Sequence, residues 1–187
     1  MTAQGRAANV LGALSLVITD QTVGAVGAAT GQSASAAAAL SALLEFLDRP
    51  TLDDLRKVLG LTPSGAVRLV DRLAETGLVT REAGSDGRSR SVVLTEKGRR
   101  LAGEMSKARM DSLTGAIDGL TEQELDGFHR VLSRVMANVV NAKDGGPWIC
   151  RLCNFDACER PLGHCPAALA AKEKYGSHSR APDNHPP

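Results

Sequence analysis

Aromatic side chains are nearly missing from this 187-residue chain, which has three Phe, one Tyr and one Trp. A core without aromatics must be built from Ala, Val and Leu, and small residues of that kind suit closely packed helices. Net charge is also nearly absent, at +1. The whole chain is therefore no polyelectrolyte partner for nucleic acid, and any such role depends on where charges cluster. The start, Met1 to Gly5, lacks the cationic region of a cleavable signal peptide, with only Arg6 ahead of an apolar stretch. That stretch, Ala7 to Ile18, closes at Asp20 and Gln21 and is read as too short to span a bilayer. A cytoplasmic protein without membrane contact is expected. No ordered Ser/His/Asp set, phosphate loop or catalytic carboxylate pair stands out, so no enzyme is expected.

What is present is a succession of helix signals. Val10 to Ala29 reads as a helix of small residues, followed by a link at Gly31 to Ser35. Ala36 to Leu47 is a second helix, with Leu40, Leu43, Leu44 and Leu47 spaced along one face. Arg49-Pro50 stops it. Thr51 can cap a short helix whose first turn carries Asp53 and Asp54, and Leu52, Leu55, Val58 and Leu59 form its apolar stripe. After the turn Leu59-Gly60-Leu61, Thr62 and Pro63 open another helix, which reaches Thr76 and ends at Gly77. The period then changes. Leu78 to Arg81 and Ser91 to Leu94 are β-prone, and the turn-forming run from Glu82 to Arg90 between them predicts a hairpin with a basic tip. Thr95 caps a helix from Glu96 to about Leu120, and Thr121-x-x-Glu124 is a capping box for a last long helix reaching about Asn141.

Short helix, glycine turn, second helix and basic hairpin together make a winged helix-turn-helix, in which one helix enters the DNA major groove and the other braces it. On the second helix Val67, Val70, Leu73 and Ala74 are expected inside. Ser64, Arg68 and Arg72 recur on the opposite face with Gly65 beside them. Two Arg one turn apart can reach base edges or phosphates, and Ser64 at the helix start suits either contact. Alone, Arg68 and Arg72 beside Asp71 and Glu75 would be an ordinary solvated face. The hairpin shifts that balance, because Arg88 and Arg90 at a glycine-rich tip can enter a narrow minor groove. From Ser64 to Arg100 there are eight Lys/Arg against five Asp/Glu, a mild local excess.

The run from Leu61 to Arg81 (LTPSGAVRLVDRLAETGLVTR), together with Asp86-Gly-Arg88 and Val92-Val-Leu-Thr-Glu-Lys-Gly98, resembles the MarR family of bacterial transcriptional regulators. The resemblance spans roughly Ala36 to Val140. It implies a mainly α protomer with a small β-hairpin wing, dimerised through its terminal helices. It also implies a homodimer on a short palindrome of double-stranded DNA, usually as a repressor, with room for a small-molecule effector. The matching positions are Ser64, Arg68 and Arg72 on the reading helix and Asp86 and Arg88 on the wing. Two departures stand out. Ser89 occupies the place of a second wing Arg, and the first helix is poor in large side chains. Independently of the resemblance, the first and last long helices carry more apolar surface than one winged helix needs, which a two-fold axis would bury.

All four cysteines lie near the carboxyl end, Cys150, Cys153, Cys158 and Cys165, spaced C-x2-C-x4-C-x6-C and followed by Pro166. In a reducing compartment such a cluster points to a metal rather than to disulfides. Convergence of the four on one centre is the expectation. Zinc commonly uses two C-x2-C knuckles and here there is one. Uneven spacing and a Cys-Pro ending are compatible with iron–sulfur ligation, so an iron–sulfur cluster is preferred to zinc. Trp148, Ile149, Leu152 and Phe155 would shield the sulfurs, and His164 and His129 are read as surface residues rather than ligands.

The expected divisions are 1–35 for the first dimerisation helix and link, 36–100 for the winged helix-turn-helix, 101–142 for the closing dimerisation helices, 143–170 for the cysteine segment and 171–187 for a disordered tail. Two other functions remain open from the residues alone. One is a metal-stabilised protein-interaction module, the other a thiol–disulfide redox protein built on Cys150-x-x-Cys153, which lacks a thioredoxin-like context.

Overall fold

Six hydroxyl side chains set the helix starts. Thr2, Ser33, Thr51, Thr62, Thr95 and Thr121 each accept a hydrogen bond from the backbone N–H three residues on, at 3.0–3.3 Å. Each satisfies a donor that the first turn of a helix cannot use internally. In the computed structural model, which describes residues 2–84, 89–142 and 147–176, the helices are α1 (Ala3–Thr30), α2 (Ala34–Glu45), α3 (Leu52–Leu59), α4 (Pro63–Glu75), α5 (Glu96–Ala116), α6 (Glu122–Ala142) and α7 (Pro166–Tyr175). An antiparallel hairpin, β1 (Val79–Ala83) and β2 (Arg90–Leu94), stands between α4 and α5 with Val79 opposite Leu94 and Ala83 opposite Arg90. The architecture is the expected mainly helical winged helix-turn-helix.

Several boundaries differ from the sequence reading. The first helix continues past Asp20 and Gln21, both exposed, because nothing breaks it before Gly31, whose φ of 67° ends it. At 28 residues α1 is, among the described residues, the one helix long and apolar enough to cross a membrane, which corrects the view that the apolar stretch is too short. It lies along α5. The α5 helix stops earlier than expected, at Ala116, and the chain turns through Gly119 at φ 82°. At the far end α7 holds residues 171–175 in a helix, so the first residues assigned to the tail are ordered against α6, where Lys174 Nζ donates to the Asn141 carbonyl at 2.8 Å. The remainder of that tail, from 177 on, lies outside the described residues.

The main core joins α2, α3, α4, the hairpin and α5, with Leu40, Leu55 and Val70 fully enclosed. Its α2 wall is alanine: Ala36, Ala37, Ala38, Ala39 and Ala42 are buried, whereas Leu44, expected inside, is 38% exposed. Small side chains let the helices approach closely, and that geometry leaves the wide leucine at the rim. Gly98 shows the same economy. A Cβ there would stand 2.0 Å from the Leu78 carbonyl oxygen, so only glycine lets α5 begin directly on β1. Thr95 Oγ1 donates to the Gly77 carbonyl at 2.7 Å and Lys97 Nζ to the Thr76 carbonyl at 2.9 Å, stitching the end of α4 to the start of α5.

Candidate nucleic-acid interface and cysteine segment

The helix-turn-helix is α3, the turn at Gly60 and α4. Gly60 takes φ 65°, and the Thr51–Asp54 capping box holds the start of α3, where Thr51 N–H donates to Asp54 Oδ2 at 3.1 Å. On α4 the inward residues are Ala66, Leu69, Val70 and Leu73. Val67, expected inside, is 41% exposed. The helical period explains the difference: a stripe through 66, 69, 70 and 73 leaves 67 on the same side as Ser64 and Arg68. Ser64, Arg68 and Arg72 are exposed as expected, and Gly65 is half-buried beneath the Thr62 cap. Neither Arg68 nor Arg72 forms an ion pair among the described residues, while their neighbour Asp71 is held by Arg81 of β1 at 2.5 Å. That pairing takes up the carboxylate that lies between the two arginines in the sequence.

The wing is braced at its base. Arg49 pairs with Glu82 at 2.7 Å and its Nη2 donates to the Ala83 carbonyl at 3.3 Å. Val92 N–H donates to the Pro50 carbonyl at 2.9 Å, so the α2–α3 connection runs beside β2. Arg90 is exposed at the start of β2. Asp86 and Arg88 lie outside the described residues. Ser64, Gly65, Arg68, Arg72 and Arg90 thus come from one helix and one strand of the same unit. Sequence reasoning missed Val67. An apolar side chain left on a polar helix face can meet a thymine methyl, and strict counting of the period would have found it.

The cysteine segment opens against α3. A 3-10 turn, Pro147–Cys150, leads to the Cys153 N–H donating to the Cys150 carbonyl at 2.9 Å, and the Cys153 thiol faces the Ile149 carbonyl at 3.9 Å. Cys158 packs both against the cluster of Cys150 and against that of Cys165, which caps α7. Among the described residues no three His, Cys, Asp or Glu side chains are gathered around one ion position. His164 Nδ1 lies 2.8 Å from Glu159 Oε2 at the surface, as a surface residue should, and His129 is exposed.

Charge and burial act on these thiols unequally. The hydrogen bond from Cys153 lowers the Cys150 pKa, against burial and with help from the Arg160 guanidinium, whose Nη1 is 3.5 Å from Cys150 Sγ. The same hydrogen bond, then burial, pushes Cys153 well up. Burial followed by the nearby Cys165 raises Cys158 to about 11. Arg109 of α5 has its pKa lowered by burial, opposed by Cys153. Such an asymmetric pair could serve thiol exchange, but Cys150 is only 7% exposed, which shuts out macromolecular disulfides.

This segment is seated on the helix-turn-helix. Phe155 stacks on Phe46 with ring centroids 5.4 Å apart, and its N–H donates to Glu45 Oε2 at 2.8 Å. Ala42, Phe46 and Val58 share one buried cluster with Cys150 and Phe155. The winged helix and the cysteine segment thus share buried residues, and Val58 belongs to α3, the helix that braces α4. An open groove of about 490 Å³ runs between Leu44, Lys107, Met110, Asn154 and Phe155.

Comparison with known proteins bears on the same unit. Residues 34–89 match the family model described as MarR family. Among solved structures, a MarR family protein from Bacillus stearothermophilus is 23% identical with a TM-score of 0.66, over 75% of this chain and 99% of that one. A MarR family transcriptional regulator from Rhodococcus is 25% identical with a TM-score of 0.51, over 68% and 93%. A variant of Staphylococcus aureus MepR, solved bound to an oligodeoxyribonucleotide, is 16% identical with a TM-score of 0.54, over 71% and 96%. Residues 34–89 are thus similar to the MarR family, and the fold of the chain is similar to that of solved MarR family proteins.

Proposed function

We propose that the protein is a sequence-specific DNA-binding transcriptional regulator, acting as a homodimer on a palindromic operator, as a repressor. The observation that carries this reading is the exposed face of α4, where Ser64, Val67, Arg68 and Arg72 stand together and both arginines are left unpaired among the described residues. A solved relative in fold is bound to an oligodeoxyribonucleotide, which supports DNA as the partner. Regulation rather than catalysis agrees with the family matched by residues 34–89.

Dimerisation is supported by apolar surface that one chain leaves open. On α1, Val10 is 63% and Leu16 is 70% exposed, and on α6, Val131 is 58% and Val139 is 45% exposed. Burying such surface against a second copy is worth roughly 25 cal/mol per Å². A two-fold pair would set the two α4 helices about one DNA turn apart, roughly 34 Å. Sedimentation without detergent tests it: a dimer of about 39 kDa, twice the 19.5 kDa chain, is expected. A monomer, or protein that stays in solution only with detergent or lipid, would reject the dimer and turn α1 toward a membrane.

The cysteine segment is the input side of the regulator in this reading. Its centre answers to iron supply or oxidation, and Phe46 and Val58 carry the change to α3. A small-molecule effector would enter the groove beside Phe155. Retardation of duplexes selected from random sequence, repeated across salt concentration, tests the whole proposal. A common palindrome and a steep salt dependence are expected; binding without sequence preference would overturn it.

A further inference from the structure

We propose that Arg49 is a positioning residue for DNA reading, which fixes the tilt of the hairpin wing against α4 through Glu82 and the Ala83 carbonyl. The role rests on the DNA-binding reading above and adds to it a residue that lies on neither the reading helix nor the wing. Three observations point there.

The first is the backbone. Arg49 holds φ at 46°, in the left-handed region that a Cβ disfavours. It also stands directly before Pro50, whose ring narrows the conformations open to it. Glycine would take that φ freely, so the conformation alone does not call for arginine. A residue kept in such a conformation is held there by its surroundings.

The second is the grip. The side chain reaches β1, where Nη1 lies 2.7 Å from Glu82 Oε2 and Nη2 donates to the Ala83 carbonyl at 3.3 Å. The next two residues hold β2 through the main chain: the Pro50 carbonyl accepts the Val92 N–H at 2.9 Å, and Thr51 bridges Ser91 in antiparallel sense. Residues 49–51 thus grasp both strands. Packing does not fix the outer half of β1, because only its first residue, Val79, is buried. Successive side chains on a strand face opposite sides, and Arg81, next to Glu82, pairs with Asp71 of α4. The strand is therefore held from α4 on one side and from the α2–α3 connection on the other.

The third is exposure. The Arg49 and Glu82 side chains are 46% and 44% exposed, and an ion pair so open to water adds little to stability. Its effect is on direction. Ala83 lies opposite Arg90, so the end of the hairpin that Arg49 holds is the end that presents Arg90.

The test uses the full chain and two readouts. In hydrogen exchange of the free protein, Arg49→Ala and Glu82→Gln should each speed exchange at residues 82–84 and 89–91 and leave α3 and α4 at the wild-type rate. In anisotropy on a selected duplex, each should weaken binding by about 3- to 10-fold, and the double variant by no more than the larger single effect. The salt dependence should keep its wild-type slope, because no phosphate contact is lost. Arg49→Gly separates positioning from support of the fold: it relaxes φ, so the urea midpoint should hold near the wild-type value while binding still weakens. Arg49→Lys should regain only part of the affinity, since one ammonium does not match the planar fork at two acceptors. A shallower salt slope in Arg49→Ala, with wild-type affinity in Glu82→Gln, would make Arg49 a direct phosphate contact and overturn the proposal. Unchanged exchange in both variants, with wild-type DNA binding intact, would overturn it while the regulator reading stands. A wild-type chain that binds no selected duplex would overturn the regulator reading and the role of Arg49 with it.

Discussion

The winged helix and the cysteine segment are built on opposite principles, although they share a wall. Between Ala34 and Leu94 the fold rests on period and caps: alanines and leucines at helical spacing, serine or threonine at each helix start, and glycine at the Gly60 and Gly77 turns. Between Pro147 and Tyr175 there are two 3-10 turns and one ten-residue helix, and shape comes from particular contacts, Phe155 on Phe46 and Asn154 on Ser106. Periodic structure is readable from one sequence because each turn repeats the evidence. A segment held by single long-range contacts offers no such repetition.

The largest expected effect would break the notion that the second region is a detachable appendage. Phe155 is 9% exposed and Phe46 6%, so Phe155→Ala removes a buried aromatic from a cluster shared with α2 and α3. A loss of about 3 kcal/mol is expected in a urea titration, appearing in the unfolding of the whole domain. An unchanged main transition would show that the segment folds apart.

A second pair of substitutions sharpens the picture inside the winged helix. Val70, fully buried, should cost about 2 kcal/mol of stability as Val70→Ala and leave folded protein with intact DNA binding. Val67→Ala, at a side chain 41% exposed, should change stability by less than about 0.5 kcal/mol while weakening DNA binding. Equal loss of stability from the two would return Val67 to the core.

The smallest effect concerns the α6 cap. Glu124 Oε2 accepts from the Thr121 N–H at 2.8 Å, and that backbone bond, followed by the Thr121 hydroxyl, holds the carboxyl below its usual pKa. A carboxylate whose folded pKa is depressed stabilises the fold above its ordinary pKa and loses that contribution as pH falls through the folded value. Glu124→Gln should therefore flatten the acid side of the stability–pH curve slightly and change nothing near neutrality in pH slope. A new slope at neutral pH would contradict the assignment.

The elements of the winged helix were legible because their signals agree: Thr62-Pro63 at the start of α4, Gly77 after it, Asp53 and Asp54 in the first turn of α3. The inner face of α4 was misjudged by one position at Val67, since Ala66 and Val67 are adjacent apolar residues and hydrophobicity alone does not separate them. The span of α1 was underestimated because a charged residue on an exposed face does not end a helix; Asp20 simply faces water. Cysteine spacing marked out the segment but not its seat, which depends on Phe155 against Phe46 and on Cys150 beside Val58. Arg109, more than forty residues away in sequence, could not be linked to Cys153 without the packing of α5.

The central claim is that the α4 face reads DNA, and fluorescence anisotropy on a selected operator duplex tests it most directly. Arg68→Ala and Arg72→Ala should each weaken binding by about 1–3 kcal/mol per protomer and relax the preference at one symmetric base position. Both side chains are exposed, so the urea midpoints should stay at the wild-type value. Wild-type affinity and preference in both folded variants would contradict the account and move the interface off α4.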